Sequence, residues 1–311
     1  MKGPFTYIDY LLLESSQRLI QSKLPTAEVV SQSSPALFGS CALAALHDPQ
    51  TNVLRVANAG DSRTVLGRWD PQAKRYIAIP LSAEHNGHNP CEVSRLQKEH
   101  PDEKVIDPET GNLLGIRVTR ALGFGIFKWP SSVARIASEN FWGPRPKSDH
   151  ALRAPPYLIS EPEVVETDVH STGDHPDFLI MANRRLWELF DNQDAVACTT
   201  LNSKLRYLVT QGFIELKRKM QLDSDQPFSP GGRQSRRITD NDDTSIDRQS
   251  GQLTWKAQNK HFVVEDDHCG VHLIKNALGG SRRGLFESVM TLRPPISPSV
   301  RGDLSVVVTF F

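Results

Sequence analysis

The chain has 311 residues, and its 36 Lys and Arg balance 36 Asp and Glu, so it carries no formal net charge. That balance, with no basic patch interleaved with aromatics, speaks against nucleic acid and against an anionic membrane surface as partners. Hydrophobic residues make up 38% of the chain, enough for a core, yet no apolar run approaches the roughly 18 residues of a membrane span.

The opening stretch combines Asp9 and Glu14 with no long apolar segment, unlike a secretory signal or an arginine-rich transit peptide. Residues 6–24 place Ile8, Leu11, Leu12, Leu19 and Ile20 at helical spacing and predict an amphipathic helix. "GSCALAALHD", "NVLRVANAGDSRTVLGRWD" and "RYIAIPLSA" then read as three or four short strands. Asp48 to Asn52 and Trp69-Asp70-Pro71 carry turn chemistry between them, which predicts an antiparallel sheet. "NPCEVSRLQKEHP" predicts a short helix with Asn89 as N-cap, Pro90 in its first turn and Pro101 past its end.

Further along, "DPETGNLLGIRVTRALG" reads as a turn followed by a strand, and "YLISEPEVVETDV" as two strands broken at Pro162. Phe178 to Ala182 form a buried-strand run that opens onto Asn183, Arg184 and Arg185 before Leu186 and Trp187. Residues 192–220 have helical spacing, whereas 222–252 are polar and predict a mobile surface insertion. A helix starting near Asp267 and stopped by Gly279-Gly280 follows, and "DLSVVVTFF" closes the chain as a strand. No internal repeat is present. The four cysteines, Cys41, Cys91, Cys198 and Cys269, lie far apart without a C-x-x-C and read as isolated thiols.

Most single motifs are weak. No G-x-S-x-G marks a serine nucleophile. His85, His88 and Cys91 are spaced three apart, but Gly87 and Pro90 interrupt any common face, so polar loop histidines explain them better than zinc. "ALGFGIF" and "ALGGSRRG" lack the strand-to-helix setting and the lysine of a phosphate loop. In "VANAGDSRTVL", Asp61 sits in a tight bend between two strands; taken alone, it reads as a residue capping its own turn.

The order of these pieces resembles the metal-dependent protein phosphatase 2C-like family (PPM type). The matching residues are Asn58-Ala59-Gly60-Asp61-Ser62-Arg63, then Leu81 to His85, the E-x-x-R-L helix from Glu92 to Leu96, and Thr119 to Phe124. A strand that ends in D-G-L-W-D in the family follows, and then a last strand headed by an arginine. The "RLQKEHP" segment and Lys128-Trp129 are similar to the pyruvate dehydrogenase phosphatase branch. The resemblance implies an α+β fold: a sandwich of two antiparallel β-sheets flanked by helices, in a single domain over 1–311 with the 222–252 insertion. It also implies hydrolysis of phosphoserine or phosphothreonine by two Mg²⁺ or Mn²⁺ ions that activate a water. The implied partner is a phosphoprotein, a component of the pyruvate dehydrogenase complex, and the implied location is mitochondrial.

Laid on the family's pattern, "FLIMANRRLWELF" puts Arg184 at a metal-binding aspartate, Arg185 at the following glycine and Glu188 at the next aspartate. Arginine does not deprotonate in proteins. At an effective dielectric of about 20, a unit-charge pair at 4 Å is worth roughly 4 kcal/mol, here repulsive towards a cation. In the last strand Gly302 falls on a metal aspartate; Asp303 is one residue off, a shift that turns a strand side chain to the other face. Phe124 replaces a further aspartate, and the D-G-H-G-G strand of the family would precede the residue aligned with Met1. The fold is thus expected to be incomplete on its N-terminal side. Asp61 and Asp303 remain as the candidate metal ligands, and Arg184 and Arg185 as candidates for holding a phosphate. Two functions stay open: an Mg²⁺- or Mn²⁺-dependent phosphatase, and an inactive pseudophosphatase that binds or regulates a phosphoprotein.

Overall fold

The computed structural model describes residues 1–141, 153–210, 244–246, 253–294 and 296–311. These residues divide into two compact units, one of 1–64 with 80–169 and one of 65–79 with 170–311.

The first unit opens with α1 (Lys2–Ile20) and α2 (Thr26–Phe38), followed by β1 (Ala42–Asp48) and β2 (Val53–Ala59). After the segment 65–79 it continues with α3 (Pro90–Glu99), α4 (Ser131–Asn140) and a strand at Glu163–Asp168. That strand, β5 in chain order after β3 (Arg63–Asp70) and β4 (Arg75–Pro80), completes a three-stranded antiparallel sheet in the order β1-β2-β5. Ala45 faces Val56 and Val56 faces Val165 in the register, so β2 is the central strand, which is why its residues are the most buried. The unit's core gathers Ile20, Leu37, Leu96, Leu113, Phe127, Trp129, Val133 and Tyr157.

The second unit holds β6 (Phe178–Ala182), α5 (Arg184–Leu189), α6 (Asn192–Thr210), and a small antiparallel pair, β7 (Thr244–Ile246) with β8 (Leu253–Trp255). It ends in α7 (Cys269–Ala277), α8 (Arg283–Thr291), α9 (Ser297–Arg301) and β9 (Val306–Phe310). Its main sheet has the order β4-β3-β6-β9, with β6 and β9 antiparallel and Ile180 opposite Val308. Gly67 on β3 lets the Phe178 ring pass, since a Cβ there would lie 2.3 Å from Phe178 Cζ. Phe178, Ile180, Leu186, Trp187, Phe190, Leu273 and Leu285 form this unit's core.

The protein is therefore α+β with antiparallel sheets and flanking helices, as expected. Several local readings change. The first helix begins at Lys2 rather than near residue 6, and α2, α4, α8 and α9 were not anticipated. "GIRVTRALG" forms no strand but a set of isolated bridges, Ser40 to Leu122 and Arg120 to Ile159 among them. The stretch before Pro162 contributes only that last bridge, leaving one strand, β5, where two were expected. The final strand starts at Val306, so Asp303 precedes it. The expected helix beyond Thr210 and most of the 222–252 insertion lie outside the described residues; Thr244–Ile246, within the insertion, is paired in β7.

Candidate functional site

The bend that carries Asp61 is built by its neighbours. Asn58 is buried and donates through Nδ2 to the carbonyls of Gly60 (3.2 Å), Ser62 (3.1 Å) and Ala83 (2.8 Å), fixing the loop from inside. Gly60 has φ of +140°, and a Cβ there would meet Cys41 Cβ at 2.4 Å, so the position requires glycine. Its N–H donates to His85 Nδ1 (3.2 Å), while His85 Nε2 lies 3.2 Å from Glu163 Oε2. His85 is therefore a buried structural residue and not a polar loop histidine; burial and the nearby Arg120 cation lower its pKa and favour the neutral ring. The Cys41 thiol donates to Asp61 Oδ1 at 3.4 Å; burial and the Asp61 charge push its pKa up to about 12, so it stays protonated.

In the second unit the end of β6 leads directly into α5. Asn183 ties this end to the approach of β9: its Nδ2 donates to Asp303 O (2.5 Å), and Ser305 N donates to its Oδ1 (3.3 Å). Arg184 and Arg185 open the helix, and one turn on Glu188 accepts from both, Arg184 Nε at 2.7 Å and Arg185 Nη1 at 2.7 Å. Arg185 Nη2 also donates to the carbonyl of Val300 in α9, and Lys256 Nζ to the carbonyl of Glu188 at 2.7 Å. Burial alone would raise the Glu188 carboxyl, but the hydrogen bonds from Arg185 and Arg184 outweigh it and hold the pKa below the ordinary glutamate value. Trp187 turns inward, and its indole N–H donates to Ala182 O at 3.2 Å.

The sequence-predicted residues thus fall into two groups. Arg184 and Arg185 come together on Glu188, with the exposed Asp303 tethered nearby through its backbone. Asp61 belongs to the first unit and is placed with Cys41. Phe124, which the resemblance lays on a further aspartate position, packs against the first unit's core.

A family model, protein phosphatase 2C, matches residues 9–215, two thirds of the sequence. The chain belongs to the protein phosphatase 2C family. A protein phosphatase 2C homolog of Schizosaccharomyces pombe is 32% identical over 89% of this chain and 54% of its own length. The mitochondrial [pyruvate dehydrogenase [acetyl-transferring]]-phosphatase 1 of Saccharomyces cerevisiae is 28% identical over 100% of this chain and 52% of its own. Its counterpart from Bos taurus is 29% identical over 83% of this chain and 45% of its own. The chain spans about half the length of these relatives.

The family is metal-dependent, and the donor set here fits a two-ion centre poorly. Hard divalent ions want several oxygen ligands in near-octahedral array. The end of β6 offers two guanidiniums instead, and the Glu188 carboxylate beside them is already bonded to both. Among the described residues no three His, Cys, Asp or Glu side chains gather as a metal-holding group.

One conspicuous charge cluster was missed from sequence. Glu92, 1% exposed, accepts from Arg120 Nε (3.0 Å) and Nη2 (2.6 Å), Arg95 Nη2 (3.0 Å) and Thr119 Oγ1 (2.6 Å). Burial works against its charge, yet those bonds hold the pKa down to about 2. The signal was present in the Glu92 and Arg95 spacing on one helix face and in the Thr119-Arg120 pair, but nothing in spacing says that the two segments meet. The cluster ties α3 to the extended segment at 119–120 and has the character of a structural knot.

Proposed function

We propose that this chain is a pyruvate dehydrogenase phosphatase-like protein that engages a phosphoserine- or phosphothreonine-bearing protein without hydrolysing it by the two-metal route, in short a pseudophosphatase. The observation that carries this reading is the strand end of β6, where the residue aligned with a metal aspartate is Arg184, bonded to Glu188 together with Arg185. A guanidinium repels a dication and attracts a phosphate. Arg184 and Arg185 are the proposed phosphate contacts, and a phosphate would have to take them from Glu188.

The printed names of the relatives support a component of the pyruvate dehydrogenase complex as partner and a mitochondrial setting. The family match crosses both compact units, which supports treating them as parts of one phosphatase-type domain. The test is paired. A phosphoserine peptide should bind the folded chain without metal, should lose affinity in the Arg184→Ala, Arg185→Ala double variant, and should release no phosphate when Mn²⁺ is added. Metal-dependent phosphate release that fails in Asp61→Asn or Asp303→Asn would establish the phosphatase instead.

A further inference from the structure

At the end of β6 two guanidiniums meet on one carboxylate. Arg184 and Arg185 sit on consecutive positions of the first turn of α5, and Glu188 follows at the i+4 and i+3 positions, where helix side chains meet. The single carboxylate accepts one guanidinium hydrogen bond on each oxygen, Oε1 from Arg184 and Oε2 from Arg185. Arg185 then reaches across to Val300 O at the end of α9, and Lys256 caps the Glu188 carbonyl from the segment after β8. Four segments (β6 with α5, α9, the residues after β8, and the lead into β9 through Asn183) are thereby stitched at one corner by cationic and amide donors.

We infer that Arg184 and Arg185, closed on Glu188, supply from within the chain the positive charge that a divalent ion supplies at this strand end in the family. A strand end shaped around an ion carries carboxylates whose mutual repulsion the ion offsets. Here two fixed guanidiniums of the same polypeptide bond the Glu188 carboxylate. The corner holds its shape with or without a dication, and Glu188 becomes a positioning residue for the two arginines. This deepens the non-hydrolytic reading above and rests on it.

The decisive experiment is a double-mutant cycle read by thermal unfolding of the full chain: wild type, Glu188→Gln, Arg184→Gln with Arg185→Gln, and the triple variant, each in EDTA and in Mn²⁺. Glu188→Gln should lower the midpoint by roughly 2–4 °C, and the triple variant should unfold well above the midpoint expected from adding the two losses, because one interaction is removed only once. The wild-type midpoint should be the same in EDTA and Mn²⁺. Additive losses, or a wild-type midpoint that climbs with Mn²⁺ concentration, would overturn the inference. If the triple variant folds poorly, the wild-type comparison still decides. Failure of the non-hydrolytic reading has its own signature: a phosphoserine peptide that does not bind, or binds equally to the Arg184→Ala, Arg185→Ala variant, while the coupling is intact and the wild-type midpoint is indifferent to Mn²⁺.

Discussion

Two carboxylates in this molecule, Glu92 and Glu188, show how the same residue type takes different work from its surroundings. Glu188 is partly exposed and holds two arginines at a strand end. Glu92 is buried and holds Arg95, Arg120 and Thr119. Removing the charge in Glu92→Gln takes away the buried carboxylate that Arg120 and Arg95 share, leaving Arg95 with Glu99 at 2.8 Å, and should cost about 3 kcal/mol of folding stability by chemical denaturation. The sign with pH follows from the depressed pKa. The folded protein keeps Glu92 charged down to about 2, whereas the unfolded chain protonates near its ordinary value of 4.5. The contribution is present above that upper value and is lost as pH falls through the window towards 2. An acid titration of stability in wild type and Glu92→Gln should therefore converge as pH drops. Neither role was legible in composition: a glutamate three residues before an arginine reads as an ordinary exposed helix pair until Arg120 arrives from elsewhere in the fold.

Elements with strong punctuation were the readable ones. The α3 helix has Asn89 ahead of Pro90, and the structure gives it that start: Asn89 Oδ1 accepts from Cys91 N at 3.0 Å, while its Nδ2 donates to Glu84 O at 2.9 Å. Asn89→Ala should cost about 1 kcal/mol, seen as a lower denaturation midpoint with an unchanged slope. The hairpin from β1 to β2 was legible for the same reason, apolar alternation around an Asp-Pro turn. By contrast α2 was hidden because Ser31, Ser33, Ser34 and Pro35 dilute its apolar face and suggest a loop, although tertiary burial of Val29, Ala36 and Leu37 makes it helical. "GIRVTRALG" misled in the opposite direction: its apolar alternation is real, but only single bridges form, and Arg120 turns to Glu92.

For the whole molecule, family membership and the α+β architecture came through because they rest on the order of many motifs spread along the chain, so errors in single elements did not matter. The candidate site was legible only as a set of substitutions. Sequence placed Arg184 on an aspartate position but could not say that Glu188 would close on both arginines, since side-chain pairing depends on rotamers and on what α9 and the residues after β8 bring near. It also treated Asp303 as a strand residue facing the wrong way, whereas Asp303 lies before β9 and is tied by its backbone to Asn183. We propose that this chain, a protein phosphatase 2C family member, does not assemble the two-ion centre. Calorimetric titration of the folded chain with Mn²⁺ decides this. We predict no saturable binding into the millimolar range; saturable binding of about two ions, weakened by Asp61→Asn, would establish a metal centre instead.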